Sequence, residues 1–477
     1  MLKIETSRNL KPWPDYRAVW RWHFYAGLFC IPFVILLSIT GTIYLFKAEI
    51  EAWLERPYDR LIVNGQPEIA SRQIRAAMAA VPGSTFQGYE LPQSLTDSVR
   101  VIVNQRGKAK RVYLHPQTLD VLQSIWEESR FMRFIFKIHG ELLMGNRGSA
   151  IVELASSWAI IMILTGLYLW WPRGANRLGG ILYPRLSRGS RIFWRDIHSV
   201  TGFWVSGLAL FLLLTGLPWA KFWGDYFKQV RRLTGTAVAR QDWTNGASPL
   251  NEKVLAAVAG NRDQRESKQS RGFNVRSVQP EKRTTQPVDL ASVDLIVATL
   301  KPMGLLAPVV IAPPGVRSFE GKSVEWTAKS MTANRPRRVD LVMDGTTGDI
   351  KSRKDFKDRY LIDQIVGTGV AAHEGRLFGW PNQLLGLITA LGLILLCISS
   401  VILWVRRREP GSLGAPVPAA RHRMAWAFIM IVLILGICLP LFGFSLISVL
   451  LLDRFILRRI PGVARWLGLS SKSFSSV

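Results

Sequence analysis

Cysteine is nearly missing from this sequence, and a nucleotide-binding fingerprint is missing altogether. The three cysteines, Cys30, Cys397 and Cys438, all lie inside apolar runs. That count and spacing exclude a disulfide framework, a thiolate zinc site and a cysteine-held iron–sulfur cluster. Small buried hydrophobes are the plain reading of all three. No Gly-x-Gly-x-x-Gly follows a strand pattern, so a built-in NAD or flavin domain is not expected. Acidic residues are few, 34 against 61 Lys and Arg, which leaves a net charge of +27. Such a balance invites a nucleic-acid reading, but its placement argues otherwise. Much of the basic charge sits in short loops beside apolar runs, so no nucleic-acid partner is expected. Histidine is scarce too, at six residues, which makes each position informative.

What the chain has in quantity is hydrophobic length. Runs over Trp20–Phe46, Ile151–Trp171, Val200–Trp219 and Asn382–Val405 each approach or exceed the roughly 20 residues that cross hydrocarbon as a helix. The first is too long for a signal-peptide core and is followed by Lys47-Ala48-Glu49 rather than a small-residue cleavage site. Arg17 and Arg21 with Arg8 and Lys11 precede it. Arg173, Arg177, Arg185, Arg188, Arg191 and Arg195 fill the loop after the second run, and Arg406, Arg407, Arg408, Arg421 and Arg423 follow the fourth. The positive-inside rule puts all three on the cytoplasmic side, and the long insertions on the other, the periplasm of a Gram-negative cell.

Organisation along the chain follows. Residues 1–46 are a cytoplasmic N-terminus and first span, 47–130 an external module, and 131–171 an external histidine segment and second span. Residues 172–195 are a basic cytoplasmic loop and 196–220 the third span. A second external module fills 221–360, and 361–408 are a histidine segment and fourth span. Each module reads as α+β: helix Ser71–Ala80 with strands near 99–103, 111–114 and 120–125, then helix Ser292–Leu300 with strands near 323–328, 338–342 and 349–352. The second carries an extra polar stretch, about Thr234–Pro287, with the composition of a disordered segment. Residues 409–477 hold a further apolar run, Met424–Leu452, with Pro440 and Gly443 in its middle. It reads as one tilted, kinked helix with a basic tail lying on the surface. A re-entrant pair of half-helices is the alternative, and would return Arg454, Arg458, Arg459 and Arg465 to the cytoplasmic side.

Four histidines sit in a duplicated frame. His23 and His198 are each followed by Gly at +4 and by Thr-Gly at +17 and +18. His139 and His373 each have Gly at +6, Thr165 or Ser399 at +26, and Trp at +31. The chain is therefore two copies of one unit. Seventeen helical residues span about 26 Å, so His23 and His198 share one depth, near the cytoplasmic end, and His139 and His373 share the other. One isolated histidine is most often a satisfied core residue, but four at duplicated offsets argue for function, because intramembrane ionisable groups are costly. Paired imidazoles at one depth are what a b-type haem needs for axial ligation. Gly27, Gly202, Gly140 and Gly375 leave room for a flat macrocycle. His115, in a strand turn, and His422, in a basic loop, read as solvated. The tryptophans flanking the spans read as an interfacial belt. Glu141, Glu374 and Arg376, beside the external pair, are either surface charges or groups that manage propionates, protons or substrate.

Five segments carry a family likeness: HFYAGLFCIPFVILLSITG (23–41), IHGELLMGNRG (138–148), ILTGLYLWWPR (163–173), DIHSVTGFWVSG (196–207) and AAHEGRLFGWPNQ (371–383). They resemble the PepSY-associated transmembrane proteins, and within them the siderophore-iron inner-membrane reductases of the ferrioxamine or pyoverdine type. The likeness covers about residues 15–408. It implies a helical integral membrane protein with four core spans from an internal duplication, a C-terminal hydrophobic helix, and two periplasmic PepSY-like modules. It also implies two haem b groups, with His23, His198, His139 and His373 as axial ligands, passing electrons to a periplasmic ferric-siderophore and releasing Fe(II). Electrons would come from quinol or a cytoplasmic reductase. Two other classes stay open on the residues alone: a permease whose histidines relay protons, and a binding or regulatory protein whose histidines are structural.

Overall fold

A computed structural model of the protein describes residues 15–172, 178–236, 288–318, 321–416 and 426–469. Arg8, Lys11, Arg173, Arg177, Arg421, His422, Arg423 and most of the polar stretch 234–287 lie outside the described residues. In chain order the helices are α1 (Tyr16–Leu45), α2 (Lys47–Glu55), α3 (Ala70–Ala80), α4 (Phe131–Glu141), α5 (Asn146–Trp170), α6 (Ser190–Gly216), α7 (Lys221–Leu233), α8 (Ala291–Leu300), α9 (Leu361–His373), α10 (Trp380–Arg407), α11 (Trp426–Cys438), α12 (Pro440–Phe455) and α13 (Pro461–Trp466). The strands are β1 (Thr85–Glu90), β2 (Val99–Gln105), β3 (Lys108–Leu114), β4 (Val121–Trp126), β5 (Val309–Ala312), β6 (Arg317–Ser318), β7 (Gly321–Lys322), β8 (Trp326–Ser330), β9 (Val339–Met343) and β10 (Ile350–Asp355). They fall into two compact units: residues 1–49, 134–235 and 369–477, and residues 50–133 and 236–368.

The first unit is helical. Among the described residues, five helices are long and apolar enough to cross a membrane: α1, α5, α6 with its short continuation to Trp219, α10, and α12 with its continuation to Arg459. The first four close a ring in which α1 packs on α5 and α10, and α6 packs on the same two. Helix α1 starts where the Asp15 side chain accepts from the Arg17 and Ala18 amides, at 2.8 and 3.3 Å, a normal N-cap.

The C-terminal run does not form one kinked helix. At Leu439 the chain leaves helical geometry and doubles back, so that a Cβ on Gly436 would lie 3.6 Å from the Cα of Gly443, seven residues on. In a continuous helix that separation would be about 10 Å. Helices α11 and α12 are therefore a hairpin, and only glycine lets the two backbones approach so closely. Its turn packs Leu439 and Phe442 against Ile160 and Leu217. Trp223 donates to the Cys438 carbonyl at 3.0 Å, and Trp158 to Ser445 at 3.0 Å. The basic end returns to α1, where Tyr25 donates to the Leu467 carbonyl at 2.5 Å and Arg21 donates to that of Pro416. Of the two readings of this run, the pair of helices rather than the single kinked helix is the form adopted.

The second unit joins both insertions into one eight-stranded antiparallel sheet, order β10-β9-β8-β5-β1-β2-β3-β4. The join is β1 on β5, with Tyr89 opposite Ile311 and Glu90 opposite Val310. The two sheet modules expected from the sequence are thus halves of one core. Val99, Val101, Val103, Val112 and Leu114 pack with Ile311, Ala328, Leu341 and Met343 under α3 and α8. Asp294 of α8 accepts from the Ser71 amide at 2.9 Å and so caps α3 across the two halves. Each half turns the same corner. His115 and Asp344 donate their amides to the Asp120 and Asp349 carbonyls, and Leu119 occupies the left-handed conformation that Gly348 takes in the other half. The other sheet face of the first half carries a dense charge network. Arg111 binds Glu90 and Glu127, both at 2.5 Å, Arg130 binds Glu51, Glu55 and Glu127, and Arg100 binds Glu55 and Asp59.

Candidate haem-ligand site

Histidines 23, 139, 198 and 373 occupy two layers of the helical unit. In the first, the His23 and His198 rings stand 6.4 Å apart between centroids, nearly perpendicular at 79°. In the second, His139 and His373 are close enough to interact electrostatically. Along α1 the layers are separated by the seventeen residues from His23 to Thr40, about 26 Å. Along α6, His198 and Thr215 repeat that interval.

All four rings are held the same way, from a neighbouring helix, by a hydroxyl that the duplicated frame had marked only for depth. The His23 Nδ1 lies 3.1 Å from both Thr165 Oγ1 and the Met162 carbonyl of α5. The His198 Nδ1 lies 3.2 Å from Ser399 Oγ and 3.3 Å from the Leu396 carbonyl of α10. In the second layer the His139 Nδ1 meets Thr40 Oγ1 of α1, and the His373 Nδ1 meets Thr215 Oγ1 of α6, both at 2.9 Å. Spans α1 and α6 thus serve both layers, each giving a histidine to one and a hydroxyl to the other.

This bonding fixes the tautomer. A carbonyl has no proton to give, so Met162 and Leu396 require Nδ1–H on His23 and His198. The hydroxyls spend their own protons on their helices: Thr165 on Ile161 at 2.8 Å, Thr40 on Leu36 at 2.8 Å, Thr215 on Phe211 at 2.7 Å and Ser399 on Leu396 at 3.0 Å. Their oxygens therefore accept from Nδ1, and every Nε2 keeps its lone pair. Among the described residues no hydrogen bond engages any of these four Nε2 atoms. A metal-binding imidazole needs that arrangement, its far N–H anchored and its near nitrogen bare.

Glycine makes room for the rings rather than chiefly for a ligand. A Cβ on Gly166 would stand 3.0 Å from His23 Cε1, and on Gly41 3.3 Å from His139 Cε1. One on Gly216 would stand 3.5 Å from His373 Cε1. Of the glycines expected to face a macrocycle, Gly27 lies against Met162, Gly202 against Leu396, and Gly375 against Leu45 and Gln383. Only Gly140 opens on free space. The first two let each histidine-bearing helix approach the residue whose carbonyl anchors its ring.

Spacing tests the fit to haem. An iron held by two imidazole nitrogens at about 2 Å each, with each ring centre about 1 Å further back, needs centroids roughly 6 Å apart. The first pair, at 6.4 Å, meets this. Among the described residues no three or more His, Cys, Asp or Glu side chains gather as a metal chelate; two axial ligands do not require one. Of the neighbouring charges, Arg376 binds Glu49 at 3.0 Å, and Gln383 donates to Glu49 at 2.9 Å. His115 is a turn residue whose Nδ1 accepts from the Gln117 and Thr118 amides, at 3.3 and 3.1 Å.

A duplicated membrane bundle carrying sheet-forming insertions between its spans, with two partly buried histidine pairs, defines a recognisable class. The chain belongs to the PepSY-associated TM region family, whose model matches residues 20–407. That match contains all four histidines and their hydroxyl partners, and it stops before the α11–α12 hairpin. No curated protein matches the chain.

Proposed function

We propose that this protein is a di-haem b membrane reductase that carries electrons across the inner membrane to a periplasmic ferric-siderophore and releases Fe(II). The observation that carries the reading is the fourfold repetition of one device, a partly buried imidazole with Nδ1–H tied to a neighbouring span and Nε2 bare. Its two layers lie at opposite ends of the same four helices. Haem b bound between His23 and His198, and between His139 and His373, would supply a reversible one-electron couple at each layer. The chain's own part is to orient the rings through Thr165, Ser399, Thr40 and Thr215, and to exclude water from them.

Direction follows from charge and connectivity. The His23 layer adjoins the arginine-rich loops, which favours the cytoplasmic side. In the chain, β4 and β10 lead directly into α4 and α9, which carry His139 and His373. Electrons enter from quinol or a cytoplasmic reductase and leave on the periplasmic side. An electron moving outward runs with an inside-negative potential, a gain of about 2.3 kcal/mol per 100 mV for a full crossing. At the acceptor one electron converts siderophore-bound Fe(III) to Fe(II), which hydroxamate or catecholate oxygens hold far less tightly. In sealed vesicles of known orientation, reduced protein should be reoxidised by ferric-siderophore added on the insertion side, where a ferrous chelator should colour. Reoxidation only from the arginine-rich side would overturn this direction.

A further inference from the structure

Helix α7 directly continues the α6 span through a short turn at Leu217–Trp219, and it is built unlike any other helix of the unit. Its residues Phe222, Tyr226, Val230 and Leu233 recur at intervals of four, four and three, so they form one stripe along the helix. All four are exposed, at 51, 38, 38 and 88% of their surface. The opposite side is fastened to the bundle. Both oxygens of Glu153, a carboxylate almost wholly buried in α5, accept from the Phe222 and Trp223 amides, at 2.9 and 3.1 Å. Ser149 of α5 accepts from the Lys221 amide at 3.2 Å. Gly224 leaves no space for a Cβ against the Pro218 carbonyl, at 2.7 Å. The bundle thus holds α7 rigidly with its apolar stripe facing away.

The third side of the helix is charged. Lys221, Asp225, Lys228 and Arg232 follow one another around it, with Asp225 bound by both lysines. An apolar stripe flanked by a basic one, on a helix that starts where a span ends, has the design of a helix lying in a membrane interface. Phe211 and Leu214 of α6, the helix that α7 continues, are exposed apolar residues as well.

We propose that α7 is an interfacial helix seated in the leaflet at the His139/His373 end of the bundle. Phe222, Tyr226, Val230 and Leu233 lie among acyl chains, and Lys228 and Arg232 face phospholipid phosphates. The chain segment after Gly235 and a second protein are the rival occupants of the stripe. The seating does not depend on haem or on any acceptor, so its test is independent of the proposed reductase activity.

The test is nitroxide accessibility on the full-length protein in bilayers containing anionic lipid. Cys438→Ser removes the exposed thiol, and the buried Cys30 and Cys397 stay. In that background Tyr226→Cys, Leu233→Cys, Lys228→Cys and Arg232→Cys are labelled one at a time. Positions 226 and 233 should be open to oxygen and closed to a water-soluble nickel chelate, a ratio several-fold above that at 228 and 232. Adding Val230→Cys and Gln229→Cys should trace the helical period, so failure of one variant to fold leaves the pattern readable. High nickel accessibility at 226 and 233 would overturn the proposal in favour of an aqueous face. Low accessibility to both probes there would overturn it in favour of a protein occupant.

Discussion

Thr40→Val is a near-isosteric change that removes one hydroxyl and nothing else. It takes from His139 the hydroxyl that its Nδ1–H meets at 2.9 Å and leaves the Leu37 carbonyl, which also bonds the ring. Losing one such hydrogen bond costs about 0.5–1.5 kcal/mol. At 1.4 kcal/mol per tenfold this is roughly 2- to 12-fold in affinity. Thr40→Val should therefore weaken haem binding at the second layer by up to about tenfold. The equivalent change in the first layer, Thr165→Val, leaves the Met162 carbonyl at 3.1 Å and should cost a similar amount. Haemin titrated into apoprotein and followed in the Soret region reads both numbers. A His23→Ala background silences the first layer for the Thr40 series, and a His139→Ala background silences the second for Thr165. Thr40→Ser should restore most of the affinity. If Thr40→Val and Thr165→Val both bound haem as tightly as their parents, hydroxyl control of the imidazoles would be refuted.

Three further outcomes test the rest of the structure. Arg111→Ala removes the closest partner of Glu90 and Glu127, leaving each one longer ion pair, with Arg100 at 3.6 Å and Arg130 at 3.4 Å, and should destabilise the sheet unit by about 1.5–3 kcal/mol, read as a shift in the denaturant midpoint; a surface-like loss below about 1 kcal/mol would contradict the network's role. Asp294→Ala removes the cap of α3 that comes from the other half of the sheet and should cost about 1 kcal/mol, lowering the melting temperature of that unit by about 2–4 °C; an unchanged melting temperature would mean that the halves are not joined there. Burial raises the Glu49 carboxyl, but its bonds to Arg376 and Gln383 win and lower its pKa to about 2. The Glu49–Arg376 tie therefore contributes fully above the unfolded value near 4.3 and is lost as pH falls through about 2. Hydrogen-exchange protection at the start of α2, taken against the intrinsic rate at each pH, should fall in acid in the parent protein and stay nearly constant in Glu49→Gln.

Much of this architecture is legible in the chain because the membrane forces long apolar helices and the duplication repeats every useful spacing. The equal depth of each histidine pair follows from helical rise alone. The hydroxyls were within reach as well. Thr40 and Thr165 stand at fixed offsets from His23 and His139, and each lies at the depth of the other histidine. Exchange of partners between α1 and α5 was the missing step, since only packing shows which helix faces which ring. The β1–β5 pairing could not be read, because β5 is a four-residue strand and its partner lies more than two hundred residues earlier. Pro440 and Gly443 marked a break in the C-terminal run, but the reversal depends on Gly436 meeting Gly443 across the turn, a contact that hydropathy does not encode. Helix α7 is obscured in the sequence because its charged residues resemble the beginning of a polar insertion.

The central claim is that each histidine pair holds one haem, and haem stoichiometry tests it most directly. Protein purified from haem-replete cells should carry two b-type haems per chain by pyridine haemochrome, with a Soret band that shifts on dithionite reduction. His23→Ala and His198→Ala should each retain one haem, and so should His139→Ala and His373→Ala. A double change within a pair, His23→Ala with His198→Ala, should also retain one, whereas His23→Ala with His139→Ala should retain none. A colourless parent protein, or loss of both haems from any single substitution in folded protein, would contradict the account.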